Sequence, residues 1–295
     1  MNDRIVRLWP GRGPAPGPGS GAPGSGAAAR PGTVPSDAAG AGAGLSDAAG
    51  AGAGLSDGEL SDAYPVGPGP SLRVNFVTSL DGAVAVDGRS AGLSGAADRR
   101  VLRLLRTGCD ALLVGAGTLR DEGYRPVRLD PPRRAWRAAH GLAPYPTLVV
   151  VSQRLALEPG HPALAEAPVR PVVLTGERAP ADRRAALTAV ADVLVTGEGT
   201  VDPVAGLAAL RERGLARVLS EGGPRLFGAL TAADLVDELC LTVSPLLVGP
   251  GPGRITAGPA SPPRALTLRH VLAAADGSLL LRYARGGPNP PGKSA

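Results

Sequence analysis

The sequence predicts an α/β fold: a mixed, mostly parallel sheet flanked by helices, with a C-terminal antiparallel hairpin. Two observations predict it. Short β-rich runs alternate with helical runs from residue 72 to residue 243, an order typical of parallel sheets with crossover helices. Two further β-rich runs close the domain around Asp276-Gly277, a turn signal that favours an antiparallel hairpin at the sheet edge.

Residues 1–70 are predicted to be a low-complexity, disordered segment. Gly and Pro occupy 27 of these positions, and a ten-residue unit ending in Gly-Leu occurs twice in tandem, at 36–45 and 46–55. One leucine in ten residues cannot bury a face, so the repeat is typical of a flexible linker. The apolar run 4–10 leaves two alternatives open, a segment docked on the domain or an untethered terminus. A disordered tail is expected over 286–295.

A folded domain is predicted over residues 71–285 and begins with a strand and a helix. Residues 72–80 are β-rich and alternate in polarity, which predicts a strand. Residues 96–106 place three apolar side chains on one stripe, which predicts an amphipathic helix with Ser94 as its candidate N-cap.

The later elements follow from short apolar runs and helix-start signals. The further predicted strands are 110–115, 147–151, 171–175, 192–195, 217–220, 238–243, 265–272 and 278–284. The further predicted helices are 183–191, 202–213 and 225–230. Asp202 is the candidate N-cap of the second of these, with Pro203 in its first turn. Residues 125–146 and 249–263 are rich in turn residues and are expected to be long loops over a functional face.

Charge and cysteine content exclude several classes of function. The net charge is +5, but 30 of the 31 basic residues are scattered arginines and aromatics are only 3%, so no nucleic-acid surface is predicted. No run of about 18 apolar residues and no signal peptide is found, so no membrane association and a cytoplasmic location are expected. Cys109 and Cys240 are interpreted as buried reduced thiols. The three histidines are isolated, so no metal site is predicted.

A first glycine-rich turn follows the predicted strand 110–115. Gly115, Gly117 and Thr118 stand where a helical turn opens, and free N–H groups at such a position favour phosphate. A Rossmann fingerprint requires glycine where this chain has Arg120. A glycine turn that merely allows close packing is the alternative.

A second glycine-rich turn follows the predicted strand 217–220. Gly222 and Gly223 allow a close backbone approach, Pro224 suits a first helical turn, and the N–H groups beyond it favour an anion. Glu221 ends the strand, where α/β sheets place ligand contacts, and a carboxylate there suits a substrate N–H donor. A polar strand end with a helix cap is the alternative. Asp81-Gly82 forms a third polar strand end, or simply a turn.

Five segments in order resemble the pyrimidine reductase family of riboflavin biosynthesis. They are VNFVTSLDG (74–82), LSGAADRRVLRLLR (93–106), DALLVGAGT (110–118), LSEGGPRLFGAL (219–230) and LVDELCLTVSPLLVG (235–249). The resemblance covers about residues 72–284 and implies a dihydrofolate-reductase-like fold and a homodimer. It also implies reduction of 5-amino-6-(5-phosphoribosylamino)uracil with NADPH, which delivers hydride to C1′ of a ring-opened imine.

The resemblance also implies roles for matching residues. Expected cofactor contacts are Gly115, Gly117, Thr118, Glu122, Ser152, Arg154, Gly222, Gly223, Pro224, Arg225 and Leu226. Expected substrate contacts are Ser79, Ser94, Glu221 and Arg125. Asp81 and Glu221 are the candidate catalytic acids, with water or the substrate itself as the other proton sources. Ser152 and Arg154 suit the 2′-phosphate of the cofactor, since a hydroxyl and a guanidinium both bind that dianion.

The stretch 120–126 departs from the family pattern. Many members carry Asp-Asp-Pro-x-Leu-x-x-Arg there, whereas this chain has Arg-Asp-Glu-Gly-Tyr-Arg-Pro. Glu122 is expected to stand in for the second acid, and either Arg125 or Arg128 to contact the phosphate. The departure leaves two alternatives open. One is a reductase of a pterin, carbonyl or other imine on the same scaffold, and the other is an NADPH-binding protein without turnover.

Overall fold

The computed structural model describes residues 4–9, 54–251 and 253–286. Its strands are β1 (Ile5–Trp9), β2 (Ser71–Thr78), β3 (Ala111–Gly115), β4 (Thr147–Val151), β5 (Val172–Thr175), β6 (Asp192–Val195), β7 (Arg217–Ser220), β8 (Glu238–Val243), β9 (Leu266–Ala274) and β10 (Leu279–Arg285). Its helices are α1 (Asp57–Ala63), α2 (Ala96–Thr107), α3 (Ala116–Asp121), α4 (Pro131–Ala139), α5 (Pro162–Ala165), α6 (Ala181–Thr188), α7 (Pro203–Glu212) and α8 (Pro224–Ala232).

All of these strands form one sheet, in the order β1-β9-β10-β8-β2-β7-β3-β4-β5-β6. Every pair from β8 to β6 is parallel, whereas β1, β9 and β10 join the sheet antiparallel. The predicted mixed, mostly parallel sheet with a C-terminal hairpin is therefore confirmed. The parallel strands all end at the same edge of the sheet, which we call the carboxyl edge.

Helices cover both faces of the sheet. Along β3, Leu112 and Val114 belong to a core with residues of α1, α2 and α6, whereas Leu113 belongs to a second core with residues of α7 and α8. Successive side chains of a strand point to opposite faces, so an unbroken apolar run is buried on both sides. None of the described helices is both long and apolar enough to cross a bilayer.

Helix α4 lies inside the range 125–146, where a long loop was expected, so that prediction was wrong. Asp130 caps the helix by accepting the backbone N–H of Arg133 at 2.9 Å, and Pro131 opens its first turn. Arg137 anchors the helix: it is fully buried and donates to carbonyl oxygens, including that of Cys109 at 2.6 Å. Among the residues of this helix only Arg137 is buried, so its packing depends on a buried guanidinium rather than on an apolar stripe.

Two pieces of the segment 1–70, which was predicted to be disordered, are ordered elements. Strand β1 pairs antiparallel with β9, and its Ile5 is fully buried. Helix α1 begins with a capping box between Ser56 and Glu59. Residues 4–9 therefore dock on the domain, because β9 offers them unpaired backbone groups. The repeats up to residue 53 and the tail beyond Gly286 lie outside the described residues.

One of the two predicted helix caps is wrong. Asp202 caps α7 and accepts the N–H of Val204 at 2.8 Å. The N-cap of α2 is Gly95, with no side-chain cap. The hydroxyl of Ser94 instead donates to the carboxylate of Asp98, because that buried carboxylate competes with the helix for the hydroxyl.

Candidate active site

The two glycine turns predicted from the sequence lie side by side at the carboxyl edge. Gly115 ends β3 and its N–H donates to the carbonyl oxygen of Gly222 at 2.7 Å. The N–H of Glu221 in turn donates to the carbonyl oxygen of Leu113 at 3.0 Å. These bonds join residues 115–118 and 222–223 into one surface, which we call the glycine cradle.

Neither glycine of the second turn has room for a side chain. Gly222 has φ +76°, and a Cβ added there would lie 2.4 Å from Cζ of Phe76. A Cβ added to Gly223 would lie 2.6 Å from Oγ1 of Thr118. Glycine is therefore favoured at Gly222 by its left-handed dihedral and the ring of Phe76, and at Gly223 by the close side chain of Thr118.

Helix α8 starts directly at the cradle. Its N-cap is Gly223, no side chain caps it, and Pro224 occupies the first turn. Within the described residues, the N–H groups of Arg225 and Leu226 have no acceptor. An uncapped N-terminus of a nine-residue helix beside a glycine turn is suited to bind a phosphate.

Two polar residues follow β4 at the same edge. Ser152 is buried, and its N–H donates to the carbonyl oxygen of Leu174 at 2.9 Å. Arg154 is exposed, and its guanidinium has neither a hydrogen bond nor an ion pair within the described part of the chain. A free cation is thus available two residues beyond the strand end.

Glu221 forms a buried ion pair. Its two carboxylate oxygens accept from Nε and Nη2 of Arg106, each at 2.7 Å, and the Tyr124 hydroxyl donates to the same carboxylate. The side chain of Glu221 is only 6% exposed and that of Arg106 is 29% exposed. The carboxylate predicted to hold the substrate is therefore already engaged by its own chain.

After burial, the carboxylate of Glu221 is the main influence on the pKa of Arg106 and of Tyr124, and it raises both. Burial opposes the charged form of Arg106, but the carboxylate of Glu221 outweighs it and raises the pKa of Arg106. Burial, and then Glu221, hold the pKa of Tyr124 well above its usual range, so Tyr124 is a neutral phenol. The Arg106 guanidinium also lies 5.5 Å from the centre of the Tyr124 ring. Sequence reasoning gave no role to Arg106 or Tyr124, although Tyr124 lies in the stretch that departs from the family pattern.

Asp81 anchors the loop that follows β8. Its carboxylate accepts the N–H groups of Val248 at 3.1 Å and Gly249 at 2.7 Å. The hydroxyl of Ser79 also donates to Asp81 and accepts the N–H of Ala83 at 2.8 Å. The Ser79 hydroxyl, and then the Gly249 N–H, lower the pKa of Asp81 to about 2. Asp81 is therefore ionised at neutral pH and is unsuited to be a proton donor.

The remaining predicted residues lie on the loops around this edge. Glu122 accepts the N–H of Ser90 at 2.8 Å and so ties the loop after β2 to the end of α3. Arg125 lies beside His161, whose pKa is lowered by burial and then by that guanidinium. Across the described ranges, no hydrogen bond joins Arg125 to the other predicted site residues. Nor do any three His, Cys, Asp or Glu side chains there come together to hold a metal ion.

The family model of the RibD C-terminal domain matches residues 70–280. The chain belongs to the RibD C-terminal domain family. The matched range includes the glycine cradle, Arg106, Tyr124 and Glu221, and it confirms the resemblance to the pyrimidine reductases of riboflavin biosynthesis. Reductase activity in this family implies a small-molecule substrate and a nicotinamide cofactor.

Relatives and solved structures agree with this membership of the RibD C-terminal domain family. A protein of Archaeoglobus fulgidus is 32% identical over 181 residues, which is 61% of this chain and 82% of the relative. A protein of Methanothermobacter thermautotrophicus is 32% identical over 180 residues, 61% of this chain and 80% of the relative. Both are named 2,5-diamino-6-ribosylamino-4(3H)-pyrimidinone 5′-phosphate reductase.

The crystal structure of a pyrimidine reductase-like protein from Corynebacterium diphtheriae is similar, with a TM-score of 0.71 and 26% identity. The similarity covers 76% of this chain and 97% of that protein. A deaminase/reductase from Thermotoga maritima shares the fold, with a TM-score of 0.56 and 20% identity over 77% of this chain and 60% of that one. The predicted dihydrofolate-reductase-like fold is confirmed.

Proposed function

We propose that this chain is an NADPH-dependent pyrimidine reductase that acts on a phosphoribosylamino-pyrimidine in riboflavin biosynthesis. The observation that carries the proposal is the glycine cradle. Two backbone turns meet at the carboxyl edge where no Cβ fits at Gly222 or Gly223, and an uncapped helix starts beside them. Ligands of α/β sheets bind in such crevices beyond the strand ends.

The residues at this edge fit a dinucleotide phosphate. The cradle and the first-turn N–H groups of α8 supply donors for a pyrophosphate. The residues proposed to contact it are Gly115, Gly117, Thr118, Gly222, Gly223, Pro224, Arg225 and Leu226. Ser152 and the unpaired Arg154 supply donors for a 2′-phosphate. When bound, NADPH supplies the hydride. Glu122 accepts the N–H of Ser90 and so positions the loop after β2 beside the proposed site.

The ion pair of Arg106 and Glu221 forms the substrate end of the proposed site. Arg106 is the more exposed partner, so its guanidinium, rather than the carboxylate, is the group a substrate can reach. Glu221 acts as a positioning residue that fixes Arg106 and Tyr124. Ser79 and Asp81 fix the loop after β8 in the same way. No carboxylic acid in this set is poised to protonate the imine nitrogen, so the proton comes from water or from the substrate.

Two substrates are tested against each other. The sequence resemblance points to the aminouracil, whereas the archaeal relatives are named for the diaminopyrimidinone, which carries an amino group in place of one ring carbonyl oxygen. The purified chain is given NADPH with each compound, and with a pterin as a third arm, while NADPH absorbance is followed. Oxidation of NADPH with either riboflavin precursor supports the proposal.

The same experiment separates the rival functions. Turnover with the pterin alone would identify a different reductase on this scaffold. NADPH binding without turnover on any substrate would identify a binding protein and contradict the proposal. Replacement of NADPH by NADH is expected to slow the reaction, because Ser152 and Arg154 then have no phosphate to bind.

A homodimer and a cytoplasmic location are further proposals. The homodimer rests on the family resemblance and is tested by light scattering of the purified chain. The location is supported by Cys109 and Cys240, which are free and buried. Burial raises the pKa of each thiol to about 12, so neither is activated. Localisation of a tagged chain outside the cytoplasm would contradict this proposal.

A further inference from the structure

A cavity lies near the starts of β8 and β9, at the edge of the sheet opposite the carboxyl edge. It has a volume of about 540 Å³, within the range of small-molecule sites. Its floor includes Phe227 of α8 and Leu239 of β8, and Val236 precedes that strand. Its roof is the loop 253–265, which contributes Ile255 and Pro263. The apolar part of the lining is therefore broad enough for a ring or a short hydrocarbon chain.

The rim of this cavity carries excess positive charge. Three lining arginines, Arg254, Arg264 and Arg285, face a single lining carboxylate, Asp234. Asp234 accepts from Nε of Arg264 at 2.6 Å and from Nη2 of Arg285 at 2.9 Å. One carboxylate is thus shared by two guanidinium groups, which leaves two net positive charges on the rim.

Arg254 is the unpaired cation of the rim. It is exposed, and across the described residues its guanidinium has no hydrogen bond and no ion pair. The roof that carries it is fixed to the domain: Ala257 donates its N–H to the carbonyl oxygen of Pro224 at 3.0 Å, and Ile255 packs against the core. An apolar floor below an unpaired guanidinium is complementary to a ligand with an apolar body and an anionic head.

We propose that this cavity, called the amino-edge pocket, is a binding site for a small amphipathic anion such as an aromatic carboxylate or sulfonate. The ring of the ligand packs on Phe227 and Leu239, and its anionic group pairs with Arg254. This site differs from the proposed cofactor site. The lining of the pocket contains none of the residues proposed to bind the cofactor, although Ala257 of the roof loop is hydrogen-bonded to Pro224 at the start of α8.

The probe for the experiment is anilinonaphthalene sulfonate, an aromatic anion that fluoresces when bound to apolar surface. It is titrated into the purified chain at neutral pH with NADPH at saturation, so that the glycine cradle is blocked. We expect saturable binding of one probe per chain, with NADPH and the probe bound together. We expect Arg254→Glu to weaken binding about tenfold or more, because an attraction becomes a repulsion.

Two variants test the position of the probe. Thr231→Phe fills the pocket without a change of charge and should also abolish binding, since Thr231 lines the cavity. Arg211→Glu is the matched control, because Arg211 is an exposed arginine of α7 outside this lining. Circular dichroism verifies that each variant is folded. The proposal is overturned if NADPH displaces the probe, if no saturable binding occurs, or if folded Arg254→Glu and Thr231→Phe bind like Arg211→Glu.

Discussion

Replacement of Glu221 by glutamine tests the buried ion pair most directly. Glu221→Gln keeps the shape of the side chain but removes the charge that Arg106 faces at 2.7 Å on both oxygens. Loss of one partner from a fully buried pair costs about 3–5 kcal/mol. Because Arg106 keeps 29% of its side chain exposed, water solvates part of its charge. We therefore expect Glu221→Gln to lower the free energy of unfolding by about 2–3 kcal/mol.

The loss is measured by urea unfolding at neutral pH. The free energy of unfolding of a domain of this size falls by about 2–3 kcal/mol per molar urea. The urea concentration at the unfolding midpoint should therefore be lower by about 1 M in Glu221→Gln. The matched control is Asp192→Asn, which removes the ion pair between Asp192 and Arg170. The side chain of Asp192 is 50% exposed and that of Arg170 is 47% exposed. That exposed pair should contribute at most about 1 kcal/mol.

A double-mutant cycle isolates the interaction between the two residues. Arg106→Gln combined with Glu221→Gln removes both charges, so the double variant should be more stable than the sum of the single losses predicts, by about 2 kcal/mol. Additive losses, or a Glu221→Gln midpoint no lower than that of Asp192→Asn, would refute the assignment of Glu221 as the counter-ion of the partly buried Arg106 guanidinium.

Three further predictions concern the cofactor site and the pH dependence of stability. Gly222→Ala should weaken NADPH binding at least about tenfold, because its Cβ would lie 2.4 Å from Phe76 at φ +76°; NADPH fluorescence measures this, and Gly199→Ala, where the space is open, should bind normally. Arg154→Gln should raise the KM for NADPH about tenfold and leave that for NADH unchanged; equal changes for both cofactors would exclude a 2′-phosphate contact. Burial, and then Arg282, lower the pKa of buried His270 from 6.5 to about 4, so only the unfolded chain takes up this proton between those values. The free energy of unfolding should therefore fall by up to about 3 kcal/mol between about pH 6.5 and pH 4. Urea unfolding across that range should show a weaker dependence in His270→Phe; the same dependence in the variant would exclude His270 as its source.

Local patterns were sufficient for most of the domain. The predicted strands 147–151, 192–195 and 217–220 match β4, β6 and β7 residue for residue. β4 and β7 are mostly buried, as their short apolar runs predict, whereas β6 is the partly exposed edge strand and was located by its apolar β-branched residues. The glycine turns could also be located from the sequence, because a strand followed by Gly and then by a helix start is a local signal.

Other features depend on contacts between distant parts of the chain. Strand β1 is ordered because β9, more than 250 positions later, leaves backbone groups unpaired, and no composition of residues 1–70 reveals that partner. Helix α4 exists because Arg137 finds three carbonyl oxygens, one of them on Cys109. Strand β9 and Cys109 are both distant in sequence from the elements they hold, so those contacts leave no local signal, although Asp130 and Pro131 are a local helix-start signal for α4.

The role of Glu221 shows the same division. Local pattern alone places a carboxylate at the carboxyl end of a strand beside a glycine turn. It did not determine what that carboxylate binds, because Arg106 lies 115 positions earlier on a different element. Only the packing of α2 against the sheet brings the guanidinium to 2.7 Å. The charges of a site depend on which side chains the fold brings together, whereas the strand ends that hold them depend on local pattern.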